Sequence, residues 1–97
     1  MNTGIGKIQL HLPENQSLKD KRRIVKSIIS RLRNQYNISI AEVDDNDLWQ
    51  LATLGISCVS NNSQHVDETI ANIIKFINQK YPELEIVNQE IEIIQGP

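Results

Sequence analysis

Two segments with helical spacing, set among four apolar or alternating segments in the order βαββαβ, predict an α+β domain. That order favours a four-stranded antiparallel sheet with both helices on one face, the ferredoxin-like arrangement. The length of 97 residues suits one hydrophobic core and one domain, residues 1–97. Hydrophobic residues at 39% and charged residues at 23% place the chain in the folded range.

Ile5 to Leu12 alternates, with Ile8, Leu10 and Leu12 on one side and Lys7, Gln9 and His11 on the other, as a half-buried strand does. Pro13 ends it, and Glu14 to Gln16 connect to Ser17. Ser17 followed by Asp20 reads as a capping box, with the hydroxyl serving an early backbone N–H and the carboxylate reaching back. Val25, Ile28, Ile29, Leu32 and Tyr36 then form one apolar stripe of a helix. Lys19, Arg23, Lys26, Ser30 and Arg33 form a second, narrow stripe about 130° away at 100° per residue.

Ile38 to Val43 is apolar and β-branched, Asp44 to Asp47 makes a polar turn, and a third strand runs from Gln50 to Ser60. Leu54, Ile56 and Cys58 share one face of that strand; Leu51, Thr53, Gly55, Ser57 and Val59 share the other. Asn61 to Ser63 provide a turn and caps for a second helix whose stripe is Val66, Ile70, Ile73, Ile74, Ile77 and Tyr81. Pro82 stops it, and Glu85 to Ile94 reads as the last strand.

Charge is distributed unevenly. Eight of the ten Lys and Arg residues precede Tyr36, against Glu14 and Asp20 alone, so the first 36 residues carry +6 and the remainder −8. The overall charge of −2 therefore conceals a basic helix, whose candidate contact residues are Lys19, Lys21, Arg22, Arg23, Lys26, Arg31 and Arg33. Such a surface suits RNA phosphates or an acidic protein. The open sheet face shows Lys7, Gln9, His11, Thr53 and Ser57 and no aromatic, so base stacking on the sheet is not expected, nor is DNA sequence reading.

Other constellations are weaker. Asp44, Asp45 and Asp47 lack the spacing and glycine of a calcium loop and read as turn formers, so no metal and no cofactor is expected. His11 and His65 would make an acid–base pair only if the fold brought them together, with Glu42, Asp44 or Asp47 as the neighbouring acid. No glycine-rich phosphate loop or nucleophile motif accompanies them, and the chain is read as non-catalytic. Trp49 is either a lid over the hairpin or an anchor for a partner. With Leu51 and Val59 it marks a candidate interface, and a homodimer through the open sheet face is the alternative role. Cys58, the single cysteine, allows no intramolecular disulfide, and with no apolar run long enough for a bilayer the expected location is the cytoplasm.

The stretches LHLPENQSLKDKRRIVKSIISRLRNQYNISIAEVD and DLWQLATLGISCVSNN, with His65 to Glu68, resemble the YlxP-like family of small uncharacterised bacterial proteins. The likeness runs from about Ile5 to Glu92. It implies a ferredoxin-like fold and, because the genes of such proteins often lie near those of ribosome maturation and translation factors, an RNA or ribosomal partner. It carries no catalytic residues across.

Overall fold

The computed structural model describes all residues, 1–97. The elements are β1 (Asn2–His11), α1 (Leu18–Gln35), β2 (Ser39–Asp44), β3 (Leu51–Ser60), α2 (Ser63–Lys80) and β4 (Glu85–Gln95). All strand pairs are antiparallel, and the spatial order is β2-β3-β1-β4. The two central strands, β1 and β3, pair along their whole lengths from Asn2↔Ser60 to His11↔Leu51.

Even-numbered residues of β1 and β3 point toward the helices. Ile8, Leu10, Ala52, Leu54 and Ile56 pack there with Ile40, Val25, Ile28, Leu32, Ile73 and Ile77. A smaller cluster of Cys58, Val66 and Ile70 closes the other end. Burying a side chain of this size contributes roughly 1.5–3 kcal/mol each, which is why the two apolar stripes dictate where the helices lie.

β1 starts three residues earlier than its alternation indicates, because Gly4 and Gly6 occupy the core-facing positions. Neither glycine registers as hydrophobic, yet the close approach requires one: a Cβ at Gly4 would collide with Val66 and come within 3.0 Å of Ile70 Cδ1. α2 thus lies almost on the β1 backbone at this end. Only half of the expected capping box forms: Ser17 Oγ accepts from the Asp20 N–H at 3.1 Å. α2 is capped by Asn62, whose Oδ1 accepts from the Gln64 N–H at 2.9 Å.

Candidate functional site

α1 turns its apolar residues to the sheet, and Lys19, Arg22, Arg23, Lys26, Arg31 and Arg33 are all exposed. Lys19 to Arg33 extends about 21 Å along the axis at 1.5 Å per residue. Charge on this face is not neutralised by neighbouring acids, since the three acid–base contacts of the chain are Lys7–Glu90, His11–Glu85 and Lys21–Glu42. Arg33 uses Nη2 to donate to the Ile40 carbonyl of edge strand β2 at 3.1 Å. Arg31 lies over the Tyr81 ring, 5.6 Å from its centroid. Lys19, Arg22, Arg23 and Lys26 are exposed and make no ion pair or cation–π contact.

Lys21 does not belong with them. Its side chain is fully buried, and Nζ donates to the carbonyls of Asp45, Asn46 and Leu51 at 2.7, 3.1 and 3.1 Å. Those three bonds use every proton of the ammonium. Glu42 Oε2, 2.9 Å away, therefore supplies charge compensation without a directed hydrogen bond. The expectation that Lys21 contributes to the external patch is corrected on steric grounds. On the helical wheel Lys21 aligns with Val25, Ile28 and Leu32 at spacings of four, seven and eleven, the centre of the buried stripe.

The loop clamped by Lys21 carries the acidic turn and Trp49. Asp45 has φ of 60°, a left-handed conformation that Asp tolerates. Its carboxylate folds over the open face of the sheet, accepting from Thr53 Oγ1 at 2.5 Å and Gln9 Nε2 at 2.9 Å. Those two bonds, Thr53 first, hold its pKa below the ordinary value. Asp44 instead accepts the Asp45 backbone N–H at 2.8 Å, and the aspartates of the turn form no group of three His, Cys, Asp or Glu side chains that could hold a metal ion.

Trp49 is 54% exposed and does not act as a lid; with Leu48 it projects from the loop tip beside His11 and the half-buried Leu51. Val59 is exposed at the opposite end of the open face, in register with Thr3, which pairs in turn with Ile94. Ile5 and Val43 add further apolar surface to that face.

The histidines do not meet. His11 ends β1 opposite Leu51, whereas His65 opens α2 just beyond Ser60, the partner of Asn2. The length of β1, about 30 Å at 3.3 Å per residue, separates the two regions. This removes the paired-histidine site. His65 lines instead a cavity of about 290 Å³ at the end of α1, together with Gln35, Tyr36, Asn37, Glu68 and Asn72. Cys58 forms part of its wall, and burial pushes the thiol pKa up, away from the thiolate. Sequence reasoning overlooked this cavity. A signal was present in the spacing of His65, Glu68, Thr69 and Asn72, a polar stripe along α2.

Fold and surface together define a small ferredoxin-like α+β domain with an unneutralised cationic helix. The chain belongs to the family described as Protein of unknown function (DUF503), whose model matches residues 3–91. It is 36% identical over 69 residues to the Uncharacterized protein YlxP of Bacillus subtilis (strain 168), covering 71% of this chain and 74% of that protein. Among solved structures, a de novo designed protein with ferredoxin fold, LFR1 1, is similar with a TM-score of 0.55 and 19% identity over 97% of this chain and 84% of that one. A dimeric ferredoxin-like protein from an uncultured marine organism has a TM-score of 0.53 and 6% identity over 100% of this chain and 99% of that one. These structural likenesses concern the fold. No helix is long and apolar enough to cross a membrane.

Proposed function

We propose that this protein is a non-catalytic accessory factor that binds RNA or a ribonucleoprotein through the outer face of α1. The observation that carries the reading is the exposure of Lys19, Arg22, Arg23 and Lys26 without an acidic partner, on a chain whose net charge is −2. Cations left unpaired on an acidic protein concentrate its positive potential on one helix, where displacement of phosphate counterions favours association.

Four phosphate contacts on a single strand would give a slope of about −3 in log affinity against log salt. Fluorescence anisotropy with labelled single-stranded RNA across a salt series measures it. Arg23→Glu with Lys26→Glu is expected to weaken binding at low salt and to flatten the slope by about 1.4. Absence of association at low salt, or an unchanged affinity in the double variant, would sink the reading.

A second role rests on a different surface. Ile5, Val43, Val59 and Ile94 leave the open sheet face partly apolar. Four strands of this length cover about 600 Å², so two faces stacked together would bury about 1,200 Å², the lower limit of a stable interface. The marine ferredoxin-like protein is itself dimeric. Sedimentation velocity is expected to show a dimer at micromolar concentration that Val59→Glu dissociates; a monomer at every concentration removes this role.

A further inference from the structure

The cavity at the C-terminal end of α1 combines features that the basic helix lacks. Its lining contains no Lys or Arg, and it includes the carboxylate of Glu68, a combination that disfavours an anion. Three amide side chains, Gln35, Asn37 and Asn72, each present both a donor and an acceptor. Tyr36 and His65 add ring surfaces. A ligand matching this wall is uncharged, planar and furnished with both donors and acceptors on its edge.

Size narrows the class further. At about 290 Å³ the cavity lies at the bottom of the range for small-molecule sites and admits one or two rings. We propose that it is a receptor for a single unpaired nucleobase, presented by an RNA strand whose phosphates follow the neighbouring cations. The RNA part of the statement rests on the function proposed above; the nucleobase part rests on the cavity.

Continuity between cavity and charge comes from Gln35. That residue also lines an adjoining groove between the helices, where Arg31 and Lys80 lie beside Phe76. A phosphate in that groove and a base in the cavity would contact opposite sides of Gln35. Arg31 is therefore placed to receive phosphate, although it lies off the main cationic stripe. The base must be unpaired, because in a duplex its recognition edge is occupied by its partner.

Glu68 sets the preference among bases. Its Oε1 accepts from Gln64 Nε2 at 3.2 Å, which leaves Oε2 for a ligand N–H. An exocyclic amino group fits that acceptor, and uracil has none. Cytosine, adenine and guanine, which all carry one, are therefore favoured over uracil.

The test titrates the intact protein with cytidine, with uridine, with a short oligocytidylate and with the same oligonucleotide annealed to its complement. Cytidine is expected to shift the backbone amide resonances of Tyr36, His65 and Asn72 with millimolar affinity, more strongly than uridine. Glu68→Gln is expected to reduce that difference. Gln35→Ala with Asn72→Ala should weaken single-strand binding about tenfold, the loss of two ordinary hydrogen bonds, and leave duplex binding unchanged. Both side chains are exposed, so the thermal midpoint is expected to hold and separates lost recognition from lost folding.

Cytidine shifts without any RNA association would retain the cavity as a nucleoside site and overturn its RNA source along with the function proposed for α1. Oligonucleotide binding that depends on Arg23 and Lys26, but is unaffected in the cavity variant and accompanied by no cytidine shifts, would overturn the nucleobase receptor alone.

Discussion

The two ends of the molecule are held together by different means. At the end formed by His11, the start of α1 and the β2–β3 loop, side-chain hydrogen bonds join distant parts of the chain. Lys21 reaches residues 24 to 30 positions away, Gln9 reaches Asp45 36 positions away, and Gln50 Nε2 donates to the Asn15 carbonyl 35 positions away. Around the opposite cavity, the side-chain bonds of its lining residues are local: Gln35 to Tyr36, Gln64 to Glu68 and Thr69 to the His65 carbonyl span one to four positions. Polar groups at the first end are used to fix the backbone. Those at the second remain available to something else.

The sharpest way to break that contrast is to remove the ammonium at the tied end. Lys21→Met leaves the Glu42 carboxylate without its counter-charge and takes the Lys21 donor from the carbonyls of Asp45, Asn46 and Leu51. Loss of one partner from a buried pair costs about 3–5 kcal/mol, a large part of the stability of a domain this size. Urea denaturation should show that loss, and adding Glu42→Leu should recover part of it by removing the stranded charge. A change below about 1 kcal/mol in the single variant would mean that the loop is held by its other contacts.

How much of this was legible in the sequence depends on which physical signal each residue emits. Alternation and helical spacing mark the core directly: Ile8, Leu10, Leu54, Ile56, Val25, Ile28 and Leu32 are all buried on the faces expected of them. The start of β1 was hidden because Gly4 and Gly6 fill core positions without being hydrophobic. Lys21 was misplaced for a related reason: counting charge in a segment ignores direction, whereas the wheel puts this lysine among the apolar residues. Glu42 gives a matching signal, since it lies two residues from Ile40 on the core-facing side of β2. Two opposite charges at core positions of neighbouring elements point to a buried pair. No local pattern could reveal the separation of His11 from His65, because it follows from which end of β1 each element leaves, a property of the topology.

A smaller effect is expected on the other side of the same loop, where Asp45 ties it to the open face of the sheet. Asn tolerates the left-handed backbone almost as Asp does, so Asp45→Asn keeps the turn while removing the charge. The folded-state pKa lies below the ordinary 3.8, chiefly through the Thr53 hydroxyl and then the Gln9 amide. A depressed pKa means that the carboxylate's contribution is fully present above pH 3.8 and is lost as pH falls through the lower folded value. Wild-type protein should therefore lose stability on acidification below about pH 4 more steeply than Asp45→Asn does, with the two curves nearly parallel above it. Thermal denaturation in a pH series measures the difference. Parallel curves throughout would show that the Thr53 and Gln9 bonds do not discriminate between charged and neutral Asp45, leaving Lys21 as the anchor that distinguishes the tied end from the open one.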